Sequence, residues 1–305
     1  MKIIKKTNLV IVTIFLALIV TACTADGNGA GEGITVDRSG SPIELPQEIN
    51  HVVAIGPSNT EILIALGFAD YIVGADDFSV GIPGLPEGIP LFSMMAPDGE
   101  QLINLEPDLV FVSGSGPGED ERFQPLIEVG ITVVSIPASS SIDEIKEDIR
   151  FIAAVMGATE NGDQIIADME AEINQIREIG ATITEPLRVY FEIGAPPYMF
   201  SFGTGVFLNE MIEVIGAENI FAEEEGWISV TDEVILELNP DVILTNVFYL
   251  DDPVADVMGR PGWSEIAAVQ NGRVHFIDAD SSSRPTHNII RALQEMARAI
   301  YPDRY

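Results

Sequence analysis

Short, wholly apolar runs alternate along this chain with longer stretches in which apolar residues return every three or four positions. These are the signatures of buried strands and of amphipathic helices. The first run, His51-Val52-Val53-Ala54-Ile55, predicts a strand that Gly56-Pro57-Ser58 breaks. Ser58 or Asn59 then stands where it can cap a helix whose apolar face includes Ile62, Leu63, Ala65 and Leu66. Further strands are expected at 71–74, 109–112 and 131–136, with helices at 100–105 and at 119–129, the second ending at Gly130. Alternation of this kind predicts a mainly parallel sheet with helices on its faces.

The rhythm changes after residue 140. Two helical patterns follow, over 141–156 and 160–179, and the second, at 1.5 Å per residue, is roughly 30 Å long, the width of a small domain. Strand–helix alternation then resumes, with strands at 187–193, 241–244 and 273–277 and helices at 205–215, 231–238 and 286–300. The expected organisation is an α/β lobe over 34–140, a helical segment over 141–182 that includes the lobe-spanning helix, and a second α/β lobe over 183–305.

The second half partly repeats the first. Glu100-Gln-Leu-Ile-Asn-Leu-Glu-Pro-Asp-Leu-Val matches Glu233-Val-Ile-Leu-Glu-Leu-Asn-Pro-Asp-Val-Ile at the glutamate, the apolar positions and Pro-Asp. In both copies the glutamate lies seven residues before the proline. Two similar lobes follow from that shared spacing in a shared strand context.

Composition adds two constraints. With 47% hydrophobic residues the chain fills real cores. Its net charge is −33, or −36 without Lys2, Lys5 and Lys6, which leaves Lys146 as the last lysine. A surface so acidic repels nucleic acid and anionic membrane and disfavours a highly anionic ligand unless local arginines offset the field. Adaptation of an exposed protein to high salt or high pH explains the charge equally well.

The N-terminus carries an export pattern: a basic start (Lys2, Lys5, Lys6), an apolar core from Leu9 to Val20, then Val20-Thr21-Ala22-Cys23. The core is about a dozen residues, short of the ~20 that span a bilayer. Cys23 is the only cysteine and has no disulfide partner in the chain. The segment resembles a bacterial lipobox, which implies a signal peptide over 1–22, a lipid on Cys23 and residence at the outer face of the cytoplasmic membrane. The alternative is an uncleaved anchor helix with an incidental cysteine. Residues 23–33, small, polar and Gly-rich, suit a flexible tether.

Several local motifs, each weak alone, are specific in their order. They are Ala54-Ile55-Gly56-Pro57-Ser58-Asn59-Thr60-Glu61 followed by Ala65-Leu66-Gly67, Leu105-Glu106-Pro107-Asp108-Leu109-Val110, and Asn239-Pro240-Asp241-Val242-Ile243. Arg260-Pro261-Gly262-Trp263, Val269-Gln270-Asn271-Gly272-Arg273-Val274 and Ser283-Arg284-Pro285 complete the set. From about 34 to 301 the chain resembles the substrate-binding proteins of ABC importers for cobalamin and ferric siderophores. The resemblance implies a class III periplasmic-binding-protein-like fold, two similar α/β lobes joined by one long rigid helix. It further implies a monomer that captures a metal chelate between the lobes, with only limited closure, and delivers it to a permease dimer coupled to a cytoplasmic ATPase. No cofactor is implied beyond the cargo.

The resemblance also implies site residues. Glu100 and Glu233 align with the glutamate on each lobe that meets permease arginines, although both equally read as first-turn acids favoured by the helix dipole. Ser58 and Asn59 sit at a strand-to-helix turn, either facing the ligand or capping the helix. Phe78, Met94 and Trp227 fall where bulky apolar groups flank the ligand in the family, and as isolated residues would read as core. Tyr198 and Phe248 are further candidates beside strand ends. Arg260 and Arg284 are candidates for an anionic ligand group, or for structural Arg-Pro turns. A largely aromatic cleft with few cations leans towards a neutral or weakly charged chelate, such as a corrinoid or a hydroxamate complex.

Three rival functions are weaker. A binder of bare zinc or manganese needs converging ligands, and His51, His275 and His287 show no helical ligand spacing. An exported enzyme lacks a Gly-x-Ser-x-Gly elbow and HExxH, and Gly114-Ser115-Gly116-Pro117-Gly118 lacks the Gly-Lys-Ser/Thr of a phosphate loop. A structural or adhesion lipoprotein on the same fold is the third.

Overall fold

Four consecutive buried residues, Val52–Ile55 (β1), occupy the centre of the first sheet. The computed structural model describes residues 31, 33–114 and 121–305. The signal segment, Cys23, all of the tether except residues 31 and 33, the stretch 115–118 and the first two residues of the helix expected at 119–129 lie outside the described residues.

The first lobe continues with α1 (Pro57–Ala65), β2 (Ile72–Asp76), β3 (Leu91–Phe92), α2 (Gly99–Ile103), β4 (Leu109–Ser113), α3 (Gln124–Glu128) and β5 (Thr132–Ile136). Its five strands run parallel in the order β3-β2-β1-β4-β5. Two helices follow, α4 (Ile142–Val155) and α5 (Thr159–Gly180). The second lobe comprises β6 (Arg188–Glu192), β7 (Phe200–Phe202), α6 (Phe207–Ile215), β8 (Glu218–Asn219), β9 (Trp227–Ser229), α7 (Asp232–Leu238) and β10 (Val242–Thr245). It ends with α8 (Pro253–Gly259), α9 (Ala267–Gln270), β11 (Val274–Phe276), α10 (Ala279–Ser283) and α11 (Ile289–Ile300). Four of its strands form a parallel sheet, β11-β10-β6-β8, and β7 pairs with β9 as an antiparallel ribbon.

The repeat seen in the sequence is physical. Glu100 and Glu233 are each the second residue of a short helix that leads into an inner strand, β4 or β10. Glu106 and Asn239, each just before Pro-Asp, are the two non-glycine residues with positive φ among the described residues, at 48° and 46°. The aspartate that follows then ties down the neighbouring strand. Asp108 Oδ2 accepts from the N–H of Asn50 and His51, and Asp241 Oδ2 accepts from the N–H of Arg188.

α5 carries buried residues at Ile166, Met169, Ile173 and Ile176, a helical stripe. It packs on α4 at one end of its partner set and on α6 and α11 of the second lobe at the other. A Cβ at Gly162 would lie 2.5 Å from that of Ala153, so the close approach of α5 to α4 needs glycine there. One apolar core runs from Val52 and Phe111 through Ile152 and Ile173 to Val189, Phe207 and Leu293. A wide hinge motion would have to break this close-packed interior, which is the physical basis of a stiff joint. Among the described residues no helix is long and apolar enough to cross a membrane.

Two local expectations are corrected. The cap of α1 is Gly56 with Pro57 in the first turn, not Ser58 or Asn59, which lie inside the helix. The described part of 119–129 is helical only over α3, where Pro125 occupies the first turn. By contrast α4 has a side-chain cap: Ser141 Oγ accepts from the N–H of Glu144 at 3.1 Å. Ser141→Ala is expected to lower stability by about 1 kcal/mol, read by urea denaturation. No loss there would show that this cap is dispensable.

Candidate ligand cleft between the lobes

The carboxyl ends of the parallel strands meet at a cavity of about 590 Å³ between the two lobes. Open parallel sheets generally bind ligands outside those strand ends. Pro57, Ser58, Asn59 and Ile62 come from the start of α1, Phe78 from the loop after β2, Ser113 from the end of β4, and Ile136, Pro137 and Ala138 from the end of β5. Met94 and Met95 close the first-lobe side, and Asp148 of α4 also lines it. The second lobe contributes Phe248 after β10, and Ala279, Asp280, Ser283, Arg284 and Pro285 around α10.

The first-lobe wall is built on a buried carboxylate. Asp76 Oδ2 accepts from the Gly56 N–H at 2.9 Å and from Ser79 Oγ at 2.6 Å, while Oδ1 accepts from the Phe78 N–H at 2.8 Å. One aspartate thus fixes both the entry to α1 and the loop that presents Phe78. Gly56 has φ +116°, and a Cβ there would lie 2.1 Å from Ser113 Oγ. Only glycine lets α1 start this close to the end of β4.

Asn59 Nδ2 donates to the carbonyl of Ile55 and to Ser113 Oγ. A carbonyl only accepts, so this contact fixes the amide orientation. Asn59 Oδ1 is then a buried acceptor with no hydrogen-bond partner among the described residues.

Asp148 is also buried, and burial pushes its carboxyl upward while Ser139 and Arg38 oppose the shift. Arg38 Nε approaches its Oδ1 at 2.6 Å, and Ser139 Oγ donates to Oδ2. Arg284, the cation of the lining, is likewise engaged, with Nη1 2.9 Å from Glu61 Oε1 and Nη2 2.8 Å from Asp280 Oδ1. Among the described residues, the cavity therefore presents apolar rings, thioethers and small polar groups, with its charges already paired.

The structure brings together Ser58, Asn59, Phe78, Met94, Phe248 and Arg284 of the residues singled out from sequence. It places the others elsewhere. Arg260 forms a two-pronged pair with the buried Glu192, at 2.5 and 3.0 Å, reaches Asp256 at 2.7 Å, and stacks 4.5 Å over the Trp263 ring. Trp227, on β9, packs edge-on against Phe202 and is 59% exposed, and Tyr198 is exposed on the loop before β7. Neither lines the cavity. Glu100 and Glu233 are fully on the surface, and hydrogen bonds from its own N–H and from Thr231 hold the Glu233 carboxyl below the usual range.

Of the residues at the cavity, sequence reasoning missed Met95, Ser113, Asp148 and Asp280. Only Asp148 left a trace, as an acid within the apolar stripe Ile145, Ile149, Ile152 of α4.

Residues 52–281 match the family model described as periplasmic binding protein. The chain is 34% identical to the uncharacterized ABC transporter substrate-binding lipoprotein YvrC of Bacillus subtilis, across 88% of this chain and 85% of that protein. It is 26% identical to a vitamin B12-binding protein of Vibrio cholerae, across 84% of this chain and 91% of the relative. Among solved structures, a possible iron-binding periplasmic solute-binding protein of Staphylococcus epidermidis superposes with a TM-score of 0.74 at 26% identity, covering 83% of this chain and 99% of that one. With one family model spanning the strands of both sheets, this chain belongs to the periplasmic binding protein family.

Proposed function

We propose that this protein is the lipid-anchored, extracytoplasmic binding component of an ABC importer, and that its cargo is a neutral or weakly charged metal chelate, a corrinoid or a ferric hydroxamate. The observation that carries the cargo class is the cavity lining: Phe78, Phe248, Met94, Met95 and Ile136 around charges that are already paired. Such a surface recognises a bulky organic shell by area burial. It suits a metal whose coordination is completed by its own chelator, since the carboxylates at the cavity, Asp148 and Asp280, are each held by an arginine.

Calorimetric titration of the purified protein with cyanocobalamin, a neutral ferric tris-hydroxamate and a trianionic ferric tris-catecholate tests the reading. Saturable binding of one neutral chelate at micromolar or tighter affinity is the expected result. Phe78→Ala and Phe248→Ala, one from each lobe, are each expected to weaken it by roughly tenfold. Absence of binding by both neutral chelates would defeat the cargo assignment.

Capture involves a modest lobe rotation, because α5 and the shared core resist a wide one. Small-angle scattering with and without bound chelate is expected to show little change in radius of gyration. A large compaction would overturn this mechanism.

A further inference from the structure

Arg284 is the cation lining the cavity, and its guanidinium serves as a bridge between lobes. Besides Glu61 and Asp280, it donates from Nη2 to the Phe78 carbonyl at 3.1 Å. Glu61 stands on α1, only 7% exposed, and collects three donors from the second lobe. Arg284 Nη1 meets Oε1 at 2.9 Å, and Thr286 Oγ1 and Asn288 Nδ2 meet Oε2 at 2.7 and 2.8 Å. Asp280 is a weaker counter-charge, because its side chain is 62% exposed and water screens it. Glu61 is thus the buried group that neutralises the cleft's arginine, although it does not itself line the main cavity.

We propose that Glu61 is the charge-selectivity determinant of the cleft: by engaging Arg284 across the lobes it withholds that positive charge from the cargo, so that neutral chelates are admitted and anionic ones are rejected. The inference rests on the chelate-binding reading above. Its physical content is that a largely desolvated arginine next to an apolar cavity attracts an anion strongly unless a counter-charge is already in place. Sequence placed Arg284 as a possible anion contact; the geometry assigns Glu61 the role of preventing that.

Glu61→Gln keeps the shape and an acceptor for Arg284 while removing the charge. Titration of the purified variant with the same three chelates is expected to raise affinity for the ferric tris-catecholate by roughly tenfold or more, with affinity for the neutral chelate essentially kept. The gain is expected to shrink as salt rises, which a merely structural change would not produce. Glu61→Asp should retain rejection of the anion, and adding Arg284→Gln to Glu61→Gln should abolish the gain. If Glu61→Gln binds the neutral chelate as the parent does but gains nothing for the anion, the inference fails and the proposed function stands. If the gain survives removal of Arg284, the inference fails as well. A parent protein that prefers the anionic chelate overturns both, as does one that binds none of the three.

Discussion

Replacing Arg260 with methionine is expected to lower stability by about 3–5 kcal/mol, because it leaves a buried carboxylate without its partner. Glu192 is 0% exposed at the end of β6, and both its oxygens are held by the Arg260 guanidinium. The same guanidinium is fixed by Asp256 and by the face of Trp263, so lysine cannot reproduce it. Domains of this kind are typically stable by ~5–15 kcal/mol, so the loss is a large share of the whole. The deficit also carries a pH signature. Burial already raises the Glu192 carboxyl, and the contacts with Arg260, ahead of a smaller one with Tyr190, oppose that rise. Without Arg260 the folded-state value rises further above the unfolded one. A carboxyl raised on folding binds its proton more readily in the folded state, so its contribution to stability is best at low pH. That contribution declines as pH rises from the ordinary carboxylate range through the raised value. Urea denaturation of Arg260→Met should therefore show a smaller deficit near pH 5 than near pH 8, and adding Glu192→Gln should recover much of the loss. A deficit below 1 kcal/mol, or one that does not change with pH, would show that the pair is not what holds this corner of the lobe.

The frame of the molecule was legible because its long elements follow simple periods. Each inner strand of the main sheets carries an apolar stretch, and α4, α5 and α11 are amphipathic over three turns or more. The pieces that went unseen are short or polar. α10 has the sequence Ala-Asp-Ser-Ser-Ser, which reads as loop, yet Asp278 caps it by accepting from the N–H and Oγ of Ser281. The β7–β9 ribbon joins two three-residue strands across a long connection, below the length at which alternation is readable. α1 begins two or three residues earlier than its polar residues imply, with Gly56 as its cap. Asn59 donates to Ile55 and Ser113 instead of accepting from the helix, so tertiary contact overrode the capping preference.

The site was legible where it follows strand ends and illegible where it depends on distant pairing. Arg260 and Arg284 look alike in sequence, each followed by proline. Their carboxylate partners, Glu192 and Glu61, lie 68 and 223 residues away, and only the fold shows that one pair is sealed in a lobe while the other bridges two. Trp227 and Met94 are both expected at the ligand from the family resemblance, and each lies six residues before its lobe's glutamate, Glu233 or Glu100. The repeat holds for the glutamates, but the ribbon strand that carries Trp227 has no counterpart beside Met94, so the two side chains are not equivalent in space. Internal symmetry thus predicts positions on shared elements and loses force on insertions.

Substituting both Glu100 and Glu233 is expected to cut chelate uptake roughly a hundredfold while leaving chelate binding intact. Both side chains are exposed, and each occupies the second position of a helix held by the same left-handed residue, proline and aspartate at its far end. That repeated frame gives each lobe one projecting carboxylate at a corresponding place, the arrangement by which a two-fold permease would grip both lobes through charge-assisted hydrogen bonds. Neither carboxylate lines the cavity, so substitution should not touch the cargo. Each contact is expected to contribute about a tenfold effect, and because the two sit on separate lobes the effects should combine to roughly a hundredfold loss. Glutamine serves better than alanine as the replacement, since it removes the charge and keeps the shape. The competing role for these residues is stabilisation of the positive helix end, worth about 0.3–1 kcal/mol at an exposed site. The two roles separate cleanly: uptake of the bound chelate by cells carrying Glu100→Gln/Glu233→Gln reports docking, and urea denaturation of the same variant reports helix stabilisation. Normal uptake with a small loss of stability would reduce both glutamates to helix-end acids. Lost uptake with unchanged stability and unchanged calorimetric affinity would fix them as the docking pair.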